Sequence, residues 1–174
     1  ESYGHPGDLK LVEVTDTNNW VATATVPVAY YRYQSTTLMG RSMLQYAFGP
    51  QAYARLVAAG KLAGTDTDVA PYADEALTYN LFTYHDGKQR AVVSSITTSG
   101  SGCSTCSGGL GTYQYTYTLR DGIETSESNY NKWVYKTVET LPDGNTNTVY
   151  SNFAGEAMLK ELKDVTTGQK WATY

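Results

Sequence analysis

The sequence predicts a mainly β fold: an antiparallel β-meander of hairpins with one short helical insertion. The first observation is a pattern of aromatic-x-aromatic, a polar turn with Gly, then an apolar strand. It occurs as Tyr31-Arg-Tyr33 before Gly40, Phe82-Thr-Tyr84 before Asp86-Gly87, and Tyr113-Gln-Tyr115-Thr-Tyr117 before Asp121-Gly122. Val134 to Val138 before Asp143-Gly144, and Thr148-Val-Tyr150 before Gly155, are two more versions. The second observation is the chemistry of that pattern. Alternating aromatic and β-branched side chains pack well on a pleated surface, and Asp-Gly supplies the backbone that a tight hairpin turn requires. The third is that one stretch alone carries a good helical stripe.

Leu9 to Val14 reads as a first strand, and Asp16 to Asn19 as a turn cluster. Trp20 to Val28 alternates again, with Pro27 expected on an edge or at a bulge because it has no N–H for a ladder. Tyr30 to Tyr33 continues as strand. Met39 to Tyr46 is ambiguous, with a bend at Gly40 and a short strand from Ser42 to Tyr46. Gly49-Pro50 opens the helix: Pro is pre-organised for the first helical position, and Ala52, Leu56, Val57 and Ala59 form the expected apolar stripe. Gly60 is the expected stop. The helical insertion spans about 49–64, and a second short helix after Thr65 or Asp66 would break at Pro71. The remaining strands are expected at Ala76 to Tyr84, Gln89 to Thr98, Thr112 to Leu119, Trp133 to Thr140, Asn147 to Phe153, Glu156 to Leu162 and Lys170 to Tyr174.

With 174 residues and no evident linker, the chain reads as a single β-rich domain over 1–174. Sixteen Tyr against three Phe suit wet faces and contact surfaces, since Tyr buries a ring and keeps its hydroxyl at a wet edge. Only 17% of residues are charged, with a net charge of -4, and Lys and Arg nowhere cluster. That excludes a nucleic-acid binder built on a basic face. No apolar run is long enough to span a bilayer, and no signal peptide is visible. The opening Glu1-Ser-Tyr-Gly reads as a processed or excised piece. Abundant Thr, Ser, Asn, Gly and Tyr point to an extracellular or cell-surface setting.

Cys103-Ser-Thr-Cys106 lies in a Gly/Ser-rich loop over 99–111. A small disulfide clamping this loop, a pair of free thiols, and metal or redox work are the three readings. Zinc requires four ligands, and the only imidazoles are the distant His5 and His85. A redox CxxC sits at a helix N-terminus, whereas these flanks are poor helix formers. Asp66, Asp68 and Asp74 lack the Gly and closing Glu of a calcium loop, so helix capping is favoured over a metal. Neither a metal nor a cofactor is expected. His85 in a turn, with Ser94, Ser95 or Ser151 elsewhere, leaves a secreted hydrolase as the weakest reading, and no catalytic residue is assigned. Tyr113, Tyr115 and Tyr117 alternate and therefore share one strand face. That face either stacks sugar rings, as in a carbohydrate-binding module, or packs against a neighbouring sheet or the Tyr30 to Tyr33 strand. Packing is favoured.

The recurrent Tyr-x-Tyr, turn, Gly-Arg or Gly-x-Gln-Arg pattern resembles the YD repeat of RHS-type proteins, which are large secreted bacterial chains. Phe82-Thr-Tyr84-His-Asp-Gly-Lys-Gln-Arg90 is the best copy, with Phe82 in place of Tyr and His85 inserted before the Asp. Thr148 to Lys160 is a looser copy, and Lys136 to Tyr150 is similar to the family's strand-turn-strand units. The resemblance covers most of the chain from about Tyr30 onward. It implies a repeat array wound into a β-shell, acting as container or scaffold outside the cell. The helical insertion departs from the family, and the family's self-cleavage region is absent, so neither autoproteolysis nor a toxin is carried over. Expected partners are neighbouring repeats of a larger chain or further copies of this one, and glycans on the second reading. The terminal strands Leu9 to Val14 and Lys170 to Tyr174 carry only Lys10, Glu13 and Lys170 as edge charges, so end-to-end β-pairing into an oligomer or filament is expected.

Overall fold

A computed structural model of the chain describes residues 6–18, 21–34, 38–99, 110–122 and 130–174. Cys103, Cys106 and His5 lie outside the described residues, as does most of the 99–111 loop. The fold is mainly β: ten strands form an antiparallel sheet in chain order. They are β1 Leu11–Asn18, β2 Val21–Tyr33, β3 Leu44–Phe48, β4 Glu75–Thr83, β5 Gln89–Ser99, β6 Leu110–Leu119, β7 Tyr135–Thr140, β8 Thr146–Ser151, β9 Ala157–Lys163 and β10 Lys170–Thr173. Between β3 and β4 come helix α1, Pro50–Ala58, a four-residue helix α2, Asp66–Val69, and a 3-10 turn, Ala70–Tyr72. No helix among the described residues is long and apolar enough to cross a membrane. The chain divides into two compact units, Glu1–Leu77 and Thr78–Tyr174.

The first unit builds a core. Tyr46 and Phe48 of β3 are buried with Ala52 and Leu56 of α1, Val69 of α2 and Ala73. The Tyr30 ring of β2 closes the cluster at 5.4 Å from Phe48 and 5.3 Å from Tyr53. The helical stripe differs from the expected one. Ala52, one turn before Leu56, shares its face, whereas Val57 is 46% exposed, because one further residue rotates the side chain by about 100°. Ala59 is exposed at the C-cap. Thr65 and Asp68 form a reciprocal capping box on α2, and the helix gives way to the 3-10 turn that contains Pro71. Asp74 accepts a hydrogen bond from the Gly49 N–H at 2.7 Å, fixing the entry to α1. Asp68 also pairs with Lys61 at 2.8 Å, and Asp66 faces the buried Arg32 at 3.7 Å. The three carboxylates therefore serve three separate contacts.

Pro27 sits where the β1–β2 register slips, opposite Glu13, so the missing N–H falls at an irregularity of the ladder. In the ambiguous Met39 to Tyr46 stretch, Met39 at φ 57° and Gly40 at φ 75° form a two-residue turn joined by reciprocal Leu38–Arg41 hydrogen bonds, and the short strand expected from Ser42 to Tyr46 lies at Leu44–Phe48.

The second unit is sheet from end to end, with no helix among its described residues. Its buried side chains, among those described, are Val134, Thr148 and Asn152. Most of β5, β7 and β8 is half-buried instead. One turn geometry recurs three times. Tyr84 N–H donates to the Lys88 carbonyl and Gly87 N–H to that of Tyr84; Leu141, Asn145 and Gly144 repeat the pair, as do Asn152, Glu156 and Gly155. Each places its Gly at positive φ, 72°, 86° and 87°, the conformation that closes a three-residue hairpin loop at no steric cost. Asp86 and Asp143 brace two of these loops by accepting the N–H two residues on, at 3.0 and 2.9 Å. Asn152 braces the third, accepting from Ala154 and Glu156 at 3.0 Å each.

Candidate functional site

A groove of about 400 Å³ lies in the second unit. The β4–β5 hairpin brings Phe82, Tyr84, His85 and Arg90 to it, because 82 and 84 alternate onto one face and the Asp86-Gly87 turn folds Arg90 back. In the β6–β7 register Leu119 lies opposite Tyr135 and Tyr117 opposite Thr137, so Tyr117 and Tyr135 are diagonal neighbours on one face. Phe82 meets Tyr84 at 5.1 Å and Tyr135 at 6.4 Å edge to face, as Tyr84 meets Tyr135 at 5.4 Å, while Phe82 and Tyr117 are tilted at 46° and 5.7 Å apart. Ser151, opposite Tyr135 on β8, and Phe153 in the following turn complete the wall.

Arg90 lies over the Tyr84 ring, its guanidinium 4.3 Å from the centroid, and its Nη2 donates to Asp86 at 2.6 Å. The Lys88 backbone N–H, with Arg90 behind it, holds the Asp86 carboxyl below its usual range. Burial pushes the Tyr117 and Tyr135 hydroxyls up. His85 Nδ1 and the Tyr135 hydroxyl share a hydrogen bond. The structure thus brings His85 and Ser151 to one groove, but the described hydrogen bonds link His85 to Tyr135 and not to Ser151 or a carboxylate. Ser94 and Ser95 bond instead to Thr78, at 2.8 and 2.7 Å. No group of three His, Cys, Asp or Glu among the described residues could hold a metal ion.

The Tyr row of β6 is placed as alternation requires. Tyr113, Tyr115 and Tyr117 are half-buried, while Thr112, Gln114, Thr116 and Thr118 between them are exposed. Two of the three hydroxyls are engaged: Tyr115 donates to Glu139 at 2.9 Å and Tyr117 to the Val93 carbonyl at 2.8 Å. Burial, then the hydrogen bond and charge of Glu139, push Tyr115 up to about 12. Asn147 Nδ2 donates to the other Glu139 oxygen at 2.8 Å, so a Tyr115–Glu139–Asn147 chain crosses three strands. Tyr117 alone of this row lines the groove. Cys103 and Cys106, the other residues singled out from sequence, lie outside the described residues.

Sequence reasoning missed Tyr135, Arg90 and Asn152. Tyr135 was visible as the first member of the alternating Tyr135-Lys-Thr-Val-Glu139 run, and Arg90 as the end of the best repeat copy. Asn152 had no signal of that kind, since its role depends on being buried beside Tyr130 and Glu156. Compared with family models, with curated proteins and with solved structures, the chain matches none of them.

Proposed function

We propose that the chain is a non-enzymatic structural β-module, a YD-repeat-like scaffold segment of an extracellular or cell-surface assembly. The observation that carries this reading is the threefold recurrence of one hairpin turn, each with the same pair of backbone hydrogen bonds and a Gly at positive φ. A sheet that adds strands through one repeated turn extends by repetition, which suits a wall or casing. In the described strand order β1 and β10 are the two outermost strands. Trp171 and Leu11 are exposed on them, so the edges suit pairing with neighbouring repeats or further copies. An oxidising exterior would also favour a Cys103–Cys106 disulfide. Light scattering and negative-stain microscopy across a concentration series test the assembly. Oligomers or filaments are the expected result, and a monomer at high concentration would remove the edge-pairing claim.

A second reading, sugar binding, draws support from the groove rather than from the Tyr113, Tyr115 and Tyr117 row. The groove combines several aromatic rings with polar side chains, whereas Tyr113 and Tyr115 of the row lie outside it and the Tyr115 hydroxyl is held by Glu139.

A further inference from the structure

We infer that the groove walled by Phe82, Tyr84, Tyr117 and Tyr135 is a binding site for a carboxylated sugar ring, a uronate, with Arg90 receiving the carboxylate. The inference rests on the sugar-binding reading and specifies its ligand. The volume of about 400 Å³ falls within the range of small-ligand sites. The walls supply apolar ring surface, and Ser151 and Thr137 supply hydroxyls.

The charge of the lining selects among ligands. Arg90 is the cation on the aromatic face of the groove; Lys136 borders it too, but alternates with Tyr135 and Thr137 and holds its ammonium over Tyr150 on the other face, and none of the lining residues is a carboxylate. A cluster of aromatic rings also suits a quaternary ammonium, but Arg90 already occupies the Tyr84 face. A second cation there would meet the guanidinium, so a cationic ligand is disfavoured. Asp86 engages Arg90 through Nη2, and a guanidinium carries five N–H donors in a planar fork suited to a carboxylate. With 47% of its side chain exposed, Arg90 is within reach of a ligand entering from solvent.

The test is isothermal titration of the intact protein with trigalacturonate and with its methyl ester, which has the same rings and no charge. The expected result is one salt-sensitive site for the acid, with the ester and Arg90→Gln each weaker by about tenfold or more, the value of a charge-assisted hydrogen bond. Arg90→Lys should recover part of the loss, and Arg55→Gln on α1, outside the groove, should change nothing. Circular dichroism establishes that each variant is folded; should Arg90→Gln unfold, the ester and Arg90→Lys decide. Equal binding of acid and ester would overturn the uronate assignment while sparing the sugar reading. Binding of neither would overturn both, and full binding by folded Arg90→Gln would remove the site from this groove. The scaffold reading stands or falls separately, on the microscopy.

Discussion

The two units of this chain solve the same problem, keeping a β-sheet folded in water, by different means. The first packs its helices against β3 and the Tyr30 end of β2 and buries Phe48, Leu56 and Val69 almost completely. The second has no described helix, leaves most of its strand residues half-buried, and depends on turns, cross-strand hydrogen bonds and ring contacts. A packed core concentrates stability in a few side chains; an open sheet spreads it over many, and leaves its faces available to whatever lies against them.

The largest test of that contrast is truncation. Leu56→Ala in the first unit should cost about 3 kcal/mol, because a fully buried Leu loses both its transfer energy and its packing partners. Leu162→Ala in the second, where the side chain is exposed, should cost less than about 1 kcal/mol. Urea unfolding followed by circular dichroism measures both, and equal losses would break the comparison.

In the second unit the sensitive positions should be the turns. Asn152→Ala removes a buried side chain that accepts from two backbone N–H groups and donates to Tyr130 and Glu156, so a loss of about 2 kcal/mol is expected by the same measurement. Gly87→Ala and Gly144→Ala force a Cβ into left-handed backbone and should cost about 1 kcal/mol each. Similar values at the two sites would support equivalent turns; a neutral Gly144→Ala would argue against them.

How much of this was legible in the sequence follows from what each feature depends on. Most strand positions and the Asp-Gly turns were legible because alternation and Asp-Gly act within a few residues: β5, β6 and β9 start or end within two residues of their expected limits, whereas the turn expected from Asp16 is strand, β1 running on to Asn18. The α1 stripe was partly misjudged, since the successive Leu56 and Val57 look equally apolar until packing selects Ala52 and Leu56. The groove was illegible for a different reason. Phe82, Tyr117 and Tyr135 are distant in sequence, and only strand register brings their rings together. The resemblance to YD repeats singled out Phe82 to Arg90 as a unit but did not say which rings they would meet.

A smaller effect depends on pH. Tyr115 has its hydroxyl pushed up to about 12 by burial and Glu139. In the unfolded chain it ionises near the usual tyrosine value of about 10. The stabilisation is therefore complete below that pH and is lost as pH rises through the folded value, since the unfolded state releases its proton first. Tyr115→Phe should flatten the alkaline decline in stability, measured as urea midpoint against pH. An unchanged slope would remove Tyr115 from the account.

Native-state hydrogen exchange read by mass spectrometry tests the central contrast most directly. Amides of β2, β3 and α1 should exchange only through the highest-energy openings, while those of β5 to β9 should exchange through lower-energy, sub-global openings that respond sooner to added urea. Uniform protection across both units, collapsing in one transition, would contradict the account and show that the open sheet is held as firmly as the packed one.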